Sequence, residues 1–263
     1  MKWHRINALL IRHLYLYKRS LPRIMDLVYW PVMELLLWGF LSVYIERMHI
    51  AGFNAVTVLL GAIIFWDLLS QSQRAVSISF LEEVWEKNFL NIFVTPLKLS
   101  EFLTATFLLA VIRIMAVAII LAGLAFLFYN FNLFTFGFAL IPFMLNLLIF
   151  GTAIGIFTIS IILRFGTSAQ ILAFGFILLI QPFSAVFYPV SVLPSLLQPL
   201  SYLFPSTYVF EGMRAVIAYG SIPTNLLAGA FIANVVYLSL SLWFFFKMFA
   251  YVKKAGKLLK LDG

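Results

Sequence analysis

The sequence predicts an all-α, polytopic membrane protein, and three observations carry that expectation. Of 263 residues, 63% are hydrophobic and only 11% are charged, against roughly 25% charged in an average soluble domain. Several apolar stretches reach the ~20 residues that a helix needs to cross a bilayer core. These stretches do not alternate over ~10 residues as barrel strands would. The chain carries a net charge of +8, which is read as topological and not as a nucleic-acid surface, because Lys and Arg collect in cytoplasmic loops.

Six spans are expected, at about 27–45, 54–73, 102–128, 134–162, 169–188 and 226–249. The basic N-terminal segment has no small-residue cleavage site behind its apolar run, so no removable signal peptide is read. Lys2, Arg5, Arg12, Lys18, Arg19 and Arg23 mark one end, and Lys247, Lys253, Lys254, Lys257 and Lys260 the other. Both termini are therefore expected in the cytoplasm, with the chain in the inner membrane. Two ends on one side require an even number of crossings. The apolar stretch 189–222 holds Pro189, Pro194, Pro199, Pro205 and Pro223 together with Glu211 and Arg214, so it is expected to dip in from outside and return. Residues 74–101, with Arg74, Lys87 and Lys98, are expected as a cytoplasmic loop. The whole chain, 1–263, reads as one transmembrane domain.

Two segments read as amphipathic. In the 1–23 segment, Trp3, Ile6, Leu10, Leu14, Tyr17 and Leu21 recur at helical spacing, with Arg5, Arg12 and Arg19 almost opposite; Leu9 and Leu16 fall off that stripe. That pattern describes a helix lying along the membrane surface, as a partner-facing element or as a plain anchor. In the 81–95 segment, Leu81, Trp85, Phe89 and Ile92 share a face, and Glu82, Glu83 and Glu86 make the first turn acidic. A short helix of this kind either docks a soluble subunit or lies on the membrane without one.

Charges inside spans are costly, about 2.5 to 3.5 kcal/mol each on insertion scales. Glu34, Asp67 and Arg113 are such charges. They either flank a translocation path or form a buried cluster that fixes helix register. One arginine against two carboxyls leaves excess negative charge unless a carboxyl keeps a proton. Gly151 and Gly155 form a GxxxG that reads as close helix packing.

Other chemistry is missing from the sequence. There is no G-x-x-x-x-G-K-[ST] phosphate loop, so ATP and Mg are expected only in a partner. His4, His13 and His49 form no metal motif, cysteine is absent, and no catalytic constellation is legible. No directly bound cofactor or metal is expected.

The tract NFLNIFVTPLKLSEFL, 88–103, resembles the cytoplasmic coupling region of type-2 ABC exporter permeases. The tract YPVSVLPSLLQPLSYLFPSTYVFEGMRAV, 188–216, resembles their Pro-rich segment before the last span. The resemblance covers essentially the whole chain. It implies a permease without its own ATPase site, paired with a second permease copy as a homodimer or heterodimer, bound to cytoplasmic ABC ATPase subunits, and surrounded by membrane lipids. It further implies two short re-entrant helices in 189–222. Arg5, Arg12, Glu83, Trp85, Glu86 and Phe89 would then lie at the ATPase interface, and Pro189, Pro194, Pro205, Glu211 and Arg214 in an external gate. The implied cargo is a lipid-linked glycan, a lipid-like molecule or a hydrophobic drug. A second reading from another class is an ion-coupled carrier that uses Glu34 and Asp67; a third, weaker one is an enzyme acting on lipid-linked intermediates.

Overall fold

The computed structural model describes residues 1–48, 55–88, 91, 94–221 and 223–256. Among them all regular structure is helical. In chain order, α1 spans Trp3–Arg19, α2 Leu21–Arg47, α3 Ala55–Trp85 and α4 Leu99–Tyr129. A 3₁₀ segment, Leu133–Ala139, leads into α5, Leu140–Phe165. Then come α6, Leu172–Ile180, α7, Gln198–Ser201, α8, Pro205–Tyr219, and α9, Thr224–Lys254.

Five of these helices are long and apolar enough to cross a membrane: α2, α3, α4, α5 with its 3₁₀ lead-in, and α9. The expected fifth span at 169–188 does run from the α1 end, where Gln170 meets Trp85, to the far end, where Ala185 meets Arg214, but it does so in pieces and not as one long helix. Helix α6 has nine residues and gives way to a 3₁₀ turn at Gln181–Phe183, because Pro182 cannot continue the helical hydrogen-bond ladder. At 1.5 Å per residue, α6 is roughly 14 Å long, about half a bilayer core.

The second correction concerns α3. Its expected end near residue 73 does not occur; the helix runs on to Trp85. Residues 74–85 contain neither Gly nor Pro, and the one arginine that suggests a loop, Arg74, sits within the helix. The stop comes at Lys87, which adopts φ 52°. Its N–H bonds Val84 O at 3.0 Å, and Asn88 N–H bonds Glu83 O at 2.9 Å, the paired bonds of a Schellman ending. Glu82 and Glu83 thus belong to the last turn of α3, not the first turn of a separate 81–95 helix. At roughly 46 Å, α3 outruns a ~30 Å core by several turns.

Helix α3 is the axis of the fold and is almost wholly buried, whereas α2 and α9 are mostly exposed. It packs against α2, α4 and α5. The approach of α5 is set by the GxxxG: a Cβ on Gly151 would stand 2.6 Å from Leu69 O, and one on Gly155 2.7 Å from Val76 Cβ. Ser72 on α3 donates to Leu148 O at 2.7 Å in the same seam. On the other side of α5, buried Asn234 of α9 donates to Asn146 Oδ1 at 2.8 Å. Such interhelical polar bonds hold a bundle whose members gain little hydrophobic drive from one another in lipid.

The two ends of the bundle differ in kind. At one end α1 packs on α4 and the tip of α3. At the other, Phe136, Phe143 and Phe65 form an aromatic layer, joined by α8, whose Met213 reaches Gly61. Helix α8 starts at Pro205 in the first turn and stops at Gly220, φ 65°, the usual asymmetry of helix termini.

Candidate functional site

At the α1 end, three carboxylates on the tip of α3 are gripped by cations from α1 and α2. Arg12 bonds Glu83 and reaches Glu86 at 3.3 Å. Arg23 takes Glu82 at 2.9 Å and Glu86 at 2.7 Å. Glu83 is fully buried and also accepts from Asn88 Nδ2 at 2.8 Å. Glu101, at the start of α4, accepts the backbone N–H groups of Lys98 (2.9 Å) and Lys2 (2.7 Å), with Arg5 at 3.6 Å. Arg5 itself donates to Pro96 O. A carboxylate three residues into a helix is well placed for such reach-back bonds.

His13 fills the centre of this clasp, wholly buried, with its ring nitrogens 3.6 Å from Glu83 and 3.9 Å from Glu82. Neither nitrogen has a hydrogen-bond partner among the described residues. Burial pushes the imidazole down to about 4; Glu83 pulls it the other way, and Arg12 and Arg23 add to the fall. The neutral ring is therefore the form that packs.

This arrangement rotates α1 relative to the sequence expectation. Ile6, Leu9 and His13 face the protein, while Trp3, Ile11 and Leu14 are exposed. Leu9, off the stripe read from the sequence, is a buried contact. Arg5, Arg12, Glu83 and Glu86 are brought together, but they bind one another, and Glu83 is no surface group. Trp85 is half exposed and donates to Gln170 Oε1 at 3.0 Å. Phe89 and Ile92, which share the expected face, lie outside the described residues. A cleft of about 390 Å³ opens between α1 and the chain beyond α3, lined by Arg5, Arg12, Asn88, Asn91, Thr95 and Pro96.

Deeper in the bundle, the carboxyls of Glu34 on α2 and Asp67 on α3 stand within hydrogen-bond reach of one another. Arg113 does not join them. It donates to Gln71 Oε1 at 3.0 Å and lies 5.4 Å from the Tyr17 ring centroid. The cation within electrostatic range of Glu34 and Asp67 is Arg74, which Asp26 and Arg113 also influence. Arg74 Nε, Arg113 Nε and Nη1, and Gln71 Nε2 have no partner among the described residues.

At the far end, Glu211 and Arg214 staple the 185–190 segment to α8. Glu211 Oε1 accepts from Val190 N at 2.7 Å and Arg214 Nη2 at 3.1 Å. Arg214 also donates to Ala185 O at 2.7 Å and Val186 O at 3.3 Å. Ala185 has φ 52°, a strained setting for a side-chain-bearing residue that these bonds hold in place. Pro189 lies at this staple, Pro194 O accepts from Leu197 N in the next turn at 2.8 Å, and buried Pro205 opens α8.

Sequence reasoning missed His13, Arg23, Gln71 and Arg74 as members of these clusters. Gln71 and Arg74 had a signal: they stand three apart on an apolar helix, as buried polar partners do. His13 had none, because its partners lie some seventy residues away.

No curated protein matches the chain. A family model described as the ABC-2 type transporter matches residues 5–218, from the first turns of α1 to the last turn of α8. The chain belongs to the ABC-2 type transporter family, as a multi-pass membrane permease of the kind that works with a separate ATPase subunit.

Proposed function

We propose that this permease is the membrane half of an ATP-driven exporter, set in the inner membrane with both termini cytoplasmic. The observation that carries the reading is the clasp: a central helix long enough to leave the bilayer ends in three carboxylates held by α1 and α2. A partner ATPase that binds ATP and Mg, docking on exposed Trp85 and Glu86 and in the cleft beside Arg5 and Arg12, would push on α3 directly. Phe89 belongs to the same proposed interface. Because α3 touches α2, α4 and α5, its displacement moves most of the bundle as a body.

The active unit is two permease copies, here a homodimer, with two ATPase subunits. Pro189, Pro194, Pro205, Glu211 and Arg214 form the external gate region. The cargo is a lipid-linked glycan, a lipid-like molecule or a hydrophobic drug. The Glu34, Asp67 and Arg113 region is the polar layer beside the path.

The test is affinity purification from the native membrane followed by reconstitution. A stoichiometric subunit with a phosphate-loop sequence, and ATP-dependent movement of cargo that stops when it is removed, are expected. The Glu34–Asp67 pair is the one observation that favours an ion-coupled carrier. Transport by the purified chain alone, driven by an imposed proton or sodium gradient, would replace the exporter reading with that one.

A further inference from the structure

The shortness of α6 leaves a groove of about 490 Å³ between α5, α6 and α9. Phe157, Phe176, Phe183, Phe204, Trp243 and Phe244 dominate its lining. This volume lies within the range of small-molecule sites. Its depth in the bilayer follows from the helices: from Tyr237 in the groove to Lys247 beyond it is ten residues of α9, roughly 15 Å, the thickness of one leaflet's hydrocarbon.

Beyond the groove, toward the α1 end, stand two exposed cations, Lys247 on α9 and Arg164 in the last turn of α5. Lys247 Nζ lies 4.7 Å from the Trp243 ring centroid, and Arg164 Cζ lies 5.4 Å from that of Tyr251. Neither has a carboxylate partner among the described residues. Helices α5, α6 and α9 contain no Asp or Glu at all. Cations in lipid-exposed helix ends remain favourable where an anion meets them, and in a membrane the abundant anion is the phospholipid phosphate. An aromatic slot of one-leaflet length, followed by two cations that meet sulfur and aromatic rings but no carboxylate among the described residues, matches one chemical object along its whole length.

We propose that this groove is a binding site for an anionic phospholipid of the leaflet at the α1 end, with an acyl chain along the aromatic lining and the phosphate on Lys247 and Arg164. The groove shares no lining residue with the clasp's ion pairs and does not depend on the direction in which cargo moves.

The test uses the full chain in phosphatidylcholine vesicles that contain a minority of either phosphatidylglycerol or phosphatidylcholine brominated in the acyl chains. The contribution of Trp243 is the fluorescence lost in Trp243→Phe. Brominated phosphatidylglycerol is expected to quench that contribution at a roughly fivefold lower mole fraction than brominated phosphatidylcholine, as one to two surface cations provide. In Arg164→Gln/Lys247→Gln the preference disappears while both lipids still quench. High salt in the unaltered chain reduces the preference without any substitution. Equal quenching by the two lipids in the unaltered chain overturns the headgroup site. Quenching by neither overturns the proposal in favour of a groove covered by a second copy of the chain.

Discussion

Replacing Arg12 with Ala tests the clasp most directly. Glu83, with its side chain 1% exposed, would keep only Asn88 as a hydrogen-bond donor, since His13 is neutral and 3.6 Å away. Stranding one member of a fully buried ion pair costs about 3 to 5 kcal/mol. Arg12 is one-third exposed, and Arg23 remains nearby on Glu82 and Glu86, so a smaller loss of about 2 to 3 kcal/mol applies. At 1.4 kcal/mol per factor of ten, the docked-to-undocked ratio of α1 then falls roughly 30- to 140-fold. Hydrogen exchange reads this as a matching loss of protection in α1, with α5 and α9 unchanged. A double-mutant cycle with Glu83→Ala isolates the pair: the second change should add little once Arg12 is gone, because the stranded carboxylate disappears with it. Full protection of α1 in Arg12→Ala, or losses that simply add in the cycle, would show that α1 is held by Ile6 and Leu9 packing and that the ion pairs are incidental.

Three other outcomes follow from the same geometry. The His13 imidazole is at about 4 when α1 is docked and near 6.5 when it is free, so the docked state binds fewer protons between these values; docking is complete above pH 6.5 and weakens as pH falls toward 4. The loss between pH 7.5 and 5.5 is about 1.3 kcal/mol, readable as α1 exchange protection, and it should flatten in His13→Gln. Gly151→Leu drives a side chain into Leu69 O and Ser72 and should destabilise the bundle by at least the 1 to 3 kcal/mol of ordinary overpacking, seen as a lower melting point in detergent. Trp85→Asp removes one hydrogen bond from a half-exposed side chain; it should leave the melting point within about 1 kcal/mol equivalent yet abolish retention of the ATPase subunit on purification, and unchanged retention would move the interface elsewhere.

Much of this architecture was legible because lipid simplifies the code: a long apolar run has to be a helix, and α2, α4, α5 and α9 lie where their runs predict. The misreadings share one physical origin. Arg74 signalled a loop because charge is normally excluded from a span, but a helix buried on every side can place an arginine against carboxyls of its neighbours. The 169–188 run was apolar enough to span, yet Pro182 decides where the ladder ends, and hydropathy does not register a missing N–H. The N-terminal helix was read against lipid; its true face, Ile6, Leu9 and His13, is defined by protein that the local sequence does not contain.

The two misreadings about α3 have the same consequence. A helix separate from α3 that carried Glu82 and Glu83 would have to pass force to the bundle through a flexible joint. A single rigid helix from Ala55 to Trp85 passes it without one, and the Schellman ending at Lys87 sets the joint beyond the carboxylates. Helix α1 then acts on the same lever as the partner: by holding Glu83 and Glu86 through Arg12, while Arg23 of α2 holds Glu82, it fixes where the tip of α3 can stand. The clasp therefore has to remain closed, or open, together with the bundle. Locking it with a short crosslink between positions 12 and 83 should stop cargo movement while leaving the ATPase bound, and free turnover in the locked protein would disconnect α1 from the stroke.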